Sequence, residues 1–240
     1  MNTYRKTAII AGIVFIIATA AGLLSNGFTG SLNTPDYLVQ LSANQNQVRI
    51  GVLFLLVAAF GSASIAIVLY PVLRKYNEGL ALGSVGFRLI ESVFYIVAVV
   101  GLLSLLSLSQ EYVATGATNA PLYQISGALL LAIKKWAGQL GVIAFTLGAL
   151  MYYAVFYQSK LVPRWISGFG LLAAASSLAA VLLTLFDMLV PFSTVFILLQ
   201  VPILLQEMVL AVWLIVKGFN PSAIAAGATK TATNERLSAV

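Results

Sequence analysis

Three ionisable residues lie inside long apolar segments of this 240-residue chain, and they define the chemistry that the sequence can offer. Arg88 and Glu91 fall in one apolar segment, whereas Glu207 falls in another, near the C-terminal end. An ionisable side chain in the middle of a membrane span costs about 2.5–3.5 kcal/mol on insertion scales, so it usually faces the interior of a helix bundle. There an arginine can bind an anionic group, and a carboxylate can carry a proton or a cation.

The spacing of these residues predicts that they lie at similar depths in the membrane. At a rise of about 1.5 Å per residue, Arg88 and Glu91 are about 12 and 16 Å from the start of their predicted helix at Leu80. By the same rise, Glu207 is about 15 Å from the end of its helix at Lys217. Arg88 and Glu91 are three residues apart and therefore share a helix face. Similar depth is necessary for contact between the two helices, but it does not establish that contact.

Further polar residues extend this predicted cluster. Tyr95 continues the face that carries Arg88 and Glu91, and Gln206 directly precedes Glu207. Two more polar residues are spaced by seven on the fourth apolar segment. The candidate ligand-binding residues are therefore Arg88, Glu91, Glu207, Gln206, Tyr95, Thr146 and Tyr153.

The predicted cluster has two interpretations, and the sequence leaves both open. One is a polar chamber between helices, where Arg88 binds an anionic group and the carboxylates exchange protons or cations. The other is a salt-bridged staple that fixes helix packing and binds no ligand. One arginine and two acids carry a net negative charge when all three ionise, so one carboxyl group is expected to be protonated or to face water. This surplus of acid favours the chamber.

The composition indicates a membrane protein and excludes several kinds of chemistry. Charged residues make up only 8% of the chain, against roughly 25% in a typical soluble domain, and hydrophobic residues make up 60%. The chain contains no cysteine and no histidine, which excludes disulfides, thiol catalysis and histidine-ligated metals. We therefore expect no cofactor, no metal site and no catalytic residue. The net charge of +6 is dispersed between apolar segments, so we also expect no nucleic-acid partner.

Six apolar segments are long enough to cross the roughly 30 Å of hydrocarbon in a bilayer, which takes about 20 residues. They cover residues 7–24, 50–73, 80–108, 136–157, 166–188 and 194–216. The sequence therefore predicts an all-α, polytopic membrane helix bundle with six transmembrane helices, in one domain over residues 1–220. Two shorter segments, at residues 36–41 and 123–133, predict short external helices at the membrane interface. Residues 221–240 predict a mobile cytoplasmic tail.

Basic residues between the spans predict the orientation of the bundle. Those expected on one side are Arg5, Lys6, Arg74, Lys75, Lys160, Arg164, Lys217, Lys230 and Arg236. The other side holds Arg49, Lys134 and Lys135. Because cytoplasmic loops of membrane proteins carry an excess of lysine and arginine, we expect both termini to lie in the cytoplasm.

Three passages of the sequence are similar to a known family. They are YPVLRKYNEGLALGSVGFRLIES at residues 70–92, VPRWISGFGLLAA at 162–174 and QEMVLAVWLIVKGFNPSA at 206–223. In these passages the chain resembles the bacterial membrane proteins grouped as domain of unknown function 4386, and the likeness extends from Arg5 to about Ala223. The resemblance implies a bacterial inner-membrane protein with this helical layout. It implies no substrate, reaction or catalytic residue.

Three functions are compatible with these observations. The leading hypothesis is a protein that binds or transports a small or lipid-like molecule in a polar pocket within the lipid bilayer. The second is a structural or accessory subunit that contacts another membrane protein, with the buried charges only stapling helices. The third is an intramembrane enzyme that acts on lipids through the carboxylates, although no recognised catalytic motif accompanies them.

Overall fold

The structure is a computed structural model, and it describes residues 3–28, 32, 34–116, 119–191 and 193–227. The described residues form helices connected by short turns. In chain order the helices are α1 (Thr3–Phe28), α2 (Tyr37–Ala43), α3 (Gln45–Leu73), α4 (Glu78–Ala114), α5 (Ala120–Ser159), α6 (Arg164–Leu185), α7 (Thr194–Val216) and α8 (residues 221–227). Six of them, all except α2 and α8, are long and apolar enough to cross a membrane. The predicted all-α polytopic bundle with six membrane spans is confirmed.

The six long helices form a closed ring in which each packs against two others. The order around the ring is α1, α3, α4, α5, α6 and α7, and α7 returns to pack against α1. Gly12 lies where the ring closes, because a Cβ atom there would be only 2.6 Å from the carbonyl oxygen of Ala211 in α7. The ring surrounds a core that contains polar as well as apolar side chains, and three of the largest buried ones are Arg88, Tyr152 and Tyr153.

Of the two short external helices that the sequence predicts, the structure contains one as a separate helix. The first is α2, which packs against α4 and buries Tyr37, Leu38 and Leu41. The second prediction, a separate helix at residues 123–133, is wrong because these residues belong to α5. No proline or other helix-breaking residue separates residues 123–133 from the predicted span at 136–157, so the helix continues over 40 residues. Its length is about 60 Å.

One end of the ring gathers most of the basic residues. The Arg5 side chain reaches across to the end of α7, where Nη2 donates to the Ile215 carbonyl at 2.7 Å. The segment after α7 reaches the turn between α5 and α6, because the Asn220 backbone amide donates to the Leu161 carbonyl at 2.8 Å. This basic end carries Arg5, Lys6, Arg74, Lys75, Lys160, Arg164 and Lys217.

Helix α8 lies within the segment for which the sequence predicts a mobile tail. Ala223 is buried, and its carbonyl accepts a hydrogen bond from the Tyr76 hydroxyl at 2.9 Å. Burial raises the pKa of Tyr76, so this hydroxyl stays protonated and able to donate. The rest of the predicted tail, including Lys230 and Arg236, lies outside the described residues, so its mobility stays a prediction.

Candidate functional site

The three charged residues of the predicted cluster meet in the core of the ring. Arg88 Nη1 lies 3.1 Å from Glu91 Oε2 on the same helix, and Arg88 Nη2 lies 3.3 Å from Glu207 Oε1 on α7. All three residues are buried, with exposed fractions of 2%, 3% and 8% for Arg88, Glu91 and Glu207. One guanidinium is therefore shared by two carboxylates that come from different helices.

A serine hydroxyl from α3 connects Arg88 to Glu91. Ser62 Oγ accepts a hydrogen bond from Arg88 Nη1 at 2.9 Å and donates to Glu91 Oε2 at 2.5 Å. Glu91 thus accepts hydrogen bonds from Ser62 and from Arg88, its neighbour one helical turn away. Hydrogen bonds to charged groups are stronger than those between neutral groups, so these bonds hold Arg88 and Glu91 firmly in place.

Glu207 is held by two contacts, as Glu91 is, but both are longer than those of Glu91. Its Oε2 accepts a hydrogen bond from Thr19 Oγ1 of α1 at 3.2 Å, and its Oε1 faces Arg88. Because α7 also packs against α1, this carboxylate lies beside the seam where the ring closes. Of the two carboxylates, Glu207 therefore separates more easily from Arg88.

Aromatic rings of α5 surround the guanidinium. The Arg88 Cζ lies 4.5 Å from the ring centroid of Phe145 and 5.5 Å from that of Tyr152. Arg88 Nη2 also donates to the Tyr152 hydroxyl at 3.4 Å. A cation over an aromatic face is attracted by the ring quadrupole, most strongly where water is excluded. We call Arg88, Glu91, Glu207, Ser62, Thr19 and Tyr152 together the Arg88 cluster.

Two polar atoms on the α4 side of the cluster lack a hydrogen-bond partner within the described part of the chain. They are Arg88 Nε and Ser84 Oγ, which lie one helical turn apart on the same face of α4. Both residues are 2% exposed. A buried polar group without a partner costs about 1–3 kcal/mol, and more when it is charged. The cluster therefore has unused capacity to donate hydrogen bonds.

The other four candidate residues lie near the Arg88 cluster but do not bind its charged groups in this structure. Gln206 points away, and its Nε2 donates to the Ile166 carbonyl of α6 at 2.6 Å. The Thr146 hydroxyl donates within its own helix, to the Val142 and Ile143 carbonyls. Tyr153 is buried against Gly170, and Tyr95 is half-buried against Gly141.

Three members of the Arg88 cluster are absent from the candidate residues derived from the sequence. Ser62 and Thr19 stand among apolar and small residues, where a single hydroxyl gives little signal. Tyr152 directly precedes the candidate residue Tyr153. Successive residues of a helix are about 100° apart around its axis, so Tyr152 and Tyr153 lie on different faces. Helix spacing predicts which residues share a face, but it does not predict which face turns inward.

Pro202 lies inside α7. Two serines of α6 donate hydrogen bonds to the turn before it. A proline removes one backbone donor and disturbs the preceding turn. Ser176 Oγ donates to the Leu199 carbonyl at 2.9 Å, and Ser177 Oγ donates to Gln200 Oε1. These hydrogen bonds connect α6 to the turn of α7 that the proline disturbs.

A ring of six apolar helices around a buried ion-pair cluster defines the chain as a multi-pass α-helical membrane protein. A family model described as a domain of unknown function, DUF4386, matches residues 10–218, and the chain belongs to that family. The match includes every residue of the Arg88 cluster. No curated protein and no solved structure matches the chain.

Proposed function

We propose that this protein binds or transports a small or lipid-like molecule at the Arg88 cluster, inside the membrane. The observation that carries the proposal is the pair of unpartnered atoms, Arg88 Nε and Ser84 Oγ, next to a net negative set of three charges. A cluster that only held helices together would be expected to satisfy all of its buried polar atoms. A ligand with a polar or anionic group would satisfy these two donors.

Glu207 is the residue that we assign to proton or cation exchange. Protonation of Glu207 removes its charge and weakens its bond to Arg88 Nη2, so the guanidinium becomes able to hold an anionic group of the ligand. Glu91 remains bound to Arg88 and Ser62 and keeps the arginine in place. Loss of the proton returns Glu207 to Arg88 and releases the ligand. In this cycle the ligand and Glu207 compete for the same guanidinium.

The variant Glu207→Gln tests the proposal, because glutamine imitates the protonated side chain and cannot exchange a proton. Native mass spectrometry of the protein in mild detergent measures which molecules copurify with it. We expect wild type to retain a bound small molecule or lipid, and we expect a higher occupancy in Glu207→Gln, because its uncharged side chain leaves Arg88 able to hold the ligand. Flux of the molecule so identified should then be abolished in proteoliposomes that contain Glu207→Gln.

The matched control is Glu111→Gln, which makes the same chemical change at an exposed position near the end of α4. Its bound molecules and its flux should equal those of wild type. Identical spectra for wild type and Glu207→Gln, with unchanged thermal stability, would refute the assignment of Glu207.

A second candidate function is a structural or accessory subunit of a membrane complex. The observation that favours it is the number of helices that the Arg88 cluster connects. Its members come from α1, α3, α4, α5 and α7. In that case Glu207→Gln lowers thermal stability without changing bound molecules, and the protein copurifies with a stable membrane partner. Isolation of the protein alone in mild detergent would argue against this function.

We further propose that the protein resides in a bacterial cytoplasmic membrane, with the basic end of the bundle in the cytoplasm. The resemblance of the sequence to bacterial membrane proteins supports the location, and the distribution of charge supports the orientation. Among the residues that the structure describes, the basic end has seven basic residues against the single acid Glu78. The opposite end has Arg49, Lys134 and Lys135 against Asp36, Glu111 and Asp187. This asymmetry agrees with the positive-inside rule.

A further inference from the structure

A cleft of about 630 Å³ opens at the basic end of the bundle, apart from the Arg88 cluster. The turn between α5 and α6 forms one wall, with Lys160 and Arg164. The end of α7 and the segment after it form the other wall, with Lys217. None of the described residues that line the cleft is acidic. The cleft is therefore a concave site with three positive charges.

The walls of the cleft are tied to each other. The Asn220 backbone amide donates to the Leu161 carbonyl at 2.8 Å, and Asn220 Nδ2 donates to the Lys160 carbonyl at 3.4 Å. Leu161 and Val162 are fully buried beneath the turn. These contacts join segments that are about 60 residues apart in the chain. The shape of the cleft is thus present before any ligand arrives.

The positive charges of the cleft have no carboxylate partner in the described part of the chain, where both ion pairs belong to Arg88. A lysine at the end of a helix often interacts with the terminal carbonyls. At the end of α7, however, those carbonyls are already occupied, because Arg5 donates to the carbonyls of residues 214–216. Lys217 is therefore available for another negative group.

The charge of Arg164 lies in a less favourable electrostatic environment than the charges of Lys160 and Lys217. It is the first residue of α6, and a cation at a helix N-terminus opposes the helix dipole. Its guanidinium lies 5.3 Å from the ring centroid of Tyr157, which fixes its position beside the cleft. An anion in the cleft would interact favourably with both Arg164 and the start of α6.

We propose that this cleft binds the headgroup of an anionic phospholipid. Three basic side chains suit a lipid phosphate, and basic pockets between membrane helices are known to hold anionic headgroups. Trp213 in the wall supplies an amphipathic ring of the kind found at membrane interfaces. Val216 and Trp165 beside the cleft are 61% and 62% exposed, so acyl chains would find apolar surface next to the headgroup. That adjoining surface favours a lipid over a free phosphate ion.

The test compares two lipids with identical acyl chains, phosphatidylglycerol and phosphatidylcholine, added to delipidated protein in mild detergent. Native mass spectrometry measures the affinity of each. Because each basic residue near an anionic membrane surface contributes about fivefold in affinity, we expect wild type to prefer phosphatidylglycerol on the order of a hundredfold. The triple variant Lys160→Gln, Arg164→Gln, Lys217→Gln should lose this preference. Each single variant should lose about fivefold.

The matched control is Arg49→Gln, Lys134→Gln, Lys135→Gln, which removes the same charge from the opposite end and should keep the preference. Equal binding of both lipids by wild type, or an equal loss in the control, would overturn the proposal. Displacement of phosphatidylglycerol by inorganic phosphate would show that the cleft is a site for the free ion instead. If the triple variant fails to run as a single species in size-exclusion chromatography, the three single variants test the proposal. An unchanged lipid preference in all three would then overturn it.

Discussion

At the scale of single residues, Ser62 shows how much one hydroxyl contributes inside a membrane bundle. It accepts from Arg88 and donates to Glu91, so it contacts both charges of the same ion pair. A buried ion pair is stable only when further hydrogen bonds satisfy the groups that the pair leaves over. Ser62 provides such bonds from α3, which holds neither charge.

Replacement of Ser62 by alanine should lower the free energy of unfolding by about 1–3 kcal/mol, because two buried charged groups each lose a hydrogen bond. Ser64→Ala is the matched control, since Ser64 lies in the same helix and donates only to the Phe60 carbonyl one turn earlier. That control should stay within about 0.5 kcal/mol of wild type. Reversible denaturant titration in mild detergent measures both values. Equal losses in the two variants would show that the bridging hydrogen bonds of Ser62 do not stabilise the fold.

At the scale of helices, the ring closes where α1 and α7 come into close contact at Gly12. The nearest atom to a Cβ at this position is a backbone oxygen, which cannot rotate away as a flexible side chain can. Gly12→Ala should therefore separate the two helices and destabilise the protein by about 1–3 kcal/mol. The same separation would move Thr19 away from Glu207.

Gly86→Ala is the control for this prediction. Gly86 lies in α4, and a Cβ atom there meets nothing within 4 Å. Alanine is the better helix former by about 1 kcal/mol, so this variant should be neutral or slightly stabilised. Thermal unfolding followed by circular dichroism compares the two variants. A Gly12→Ala protein as stable as the control would show that the seam between α1 and α7 is loose.

The sequence was sufficient to predict the six spans, because apolar length is a strong signal in a membrane protein. For α7 the predicted and observed bounds agree at residues 194–216. The sequence does not predict the extent of α5, since hydropathy marks the apolar part of a helix and cannot show that the helix continues beyond the membrane. The predicted fifth span reaches residue 188, but α6 ends at Leu185. Two residues later, Asp187 adopts a left-handed conformation (φ 56°) that cannot continue the helix.

The charged residues of the site were predictable for a similar reason. Arg88, Glu91 and Glu207 are costly in a bilayer, so their presence alone identified them. Their polar partners were not predictable, because Ser62 and Thr19 carry little cost when they face lipid or other helices. The order of helices around the ring decides which hydroxyl faces which charge, and hydropathy gives no information about that order.

At the scale of the whole molecule, the two ends of the bundle differ in charge, and this asymmetry makes the orientation testable. The chain has no cysteine, so a single introduced cysteine can be labelled without a background signal. Gln158 at the basic end and Gln47 at the opposite end are both exposed, and they provide a matched pair of positions.

In bacterial spheroplasts, a membrane-impermeant maleimide should label Gln47→Cys on intact cells. It should label Gln158→Cys only after the cells are opened, because the excess of basic residues holds that end in the cytoplasm. A gel shift of the labelled protein measures the extent of the reaction. The reverse pattern would place the basic end, and with it the proposed lipid cleft, on the external side.

The placement of Arg88 and Glu91 on one helix and of Glu207 on the last span has a consequence for biogenesis. The ribosome makes Glu207 119 residues after Arg88, which is a delay on the order of ten seconds at ordinary rates of synthesis. During that interval α4 enters the membrane with its own counterion, one turn away, and needs no later helix to offset the arginine. The second carboxylate joins only when α7 is inserted, so the insertion of that helix is the step that completes the charge cluster.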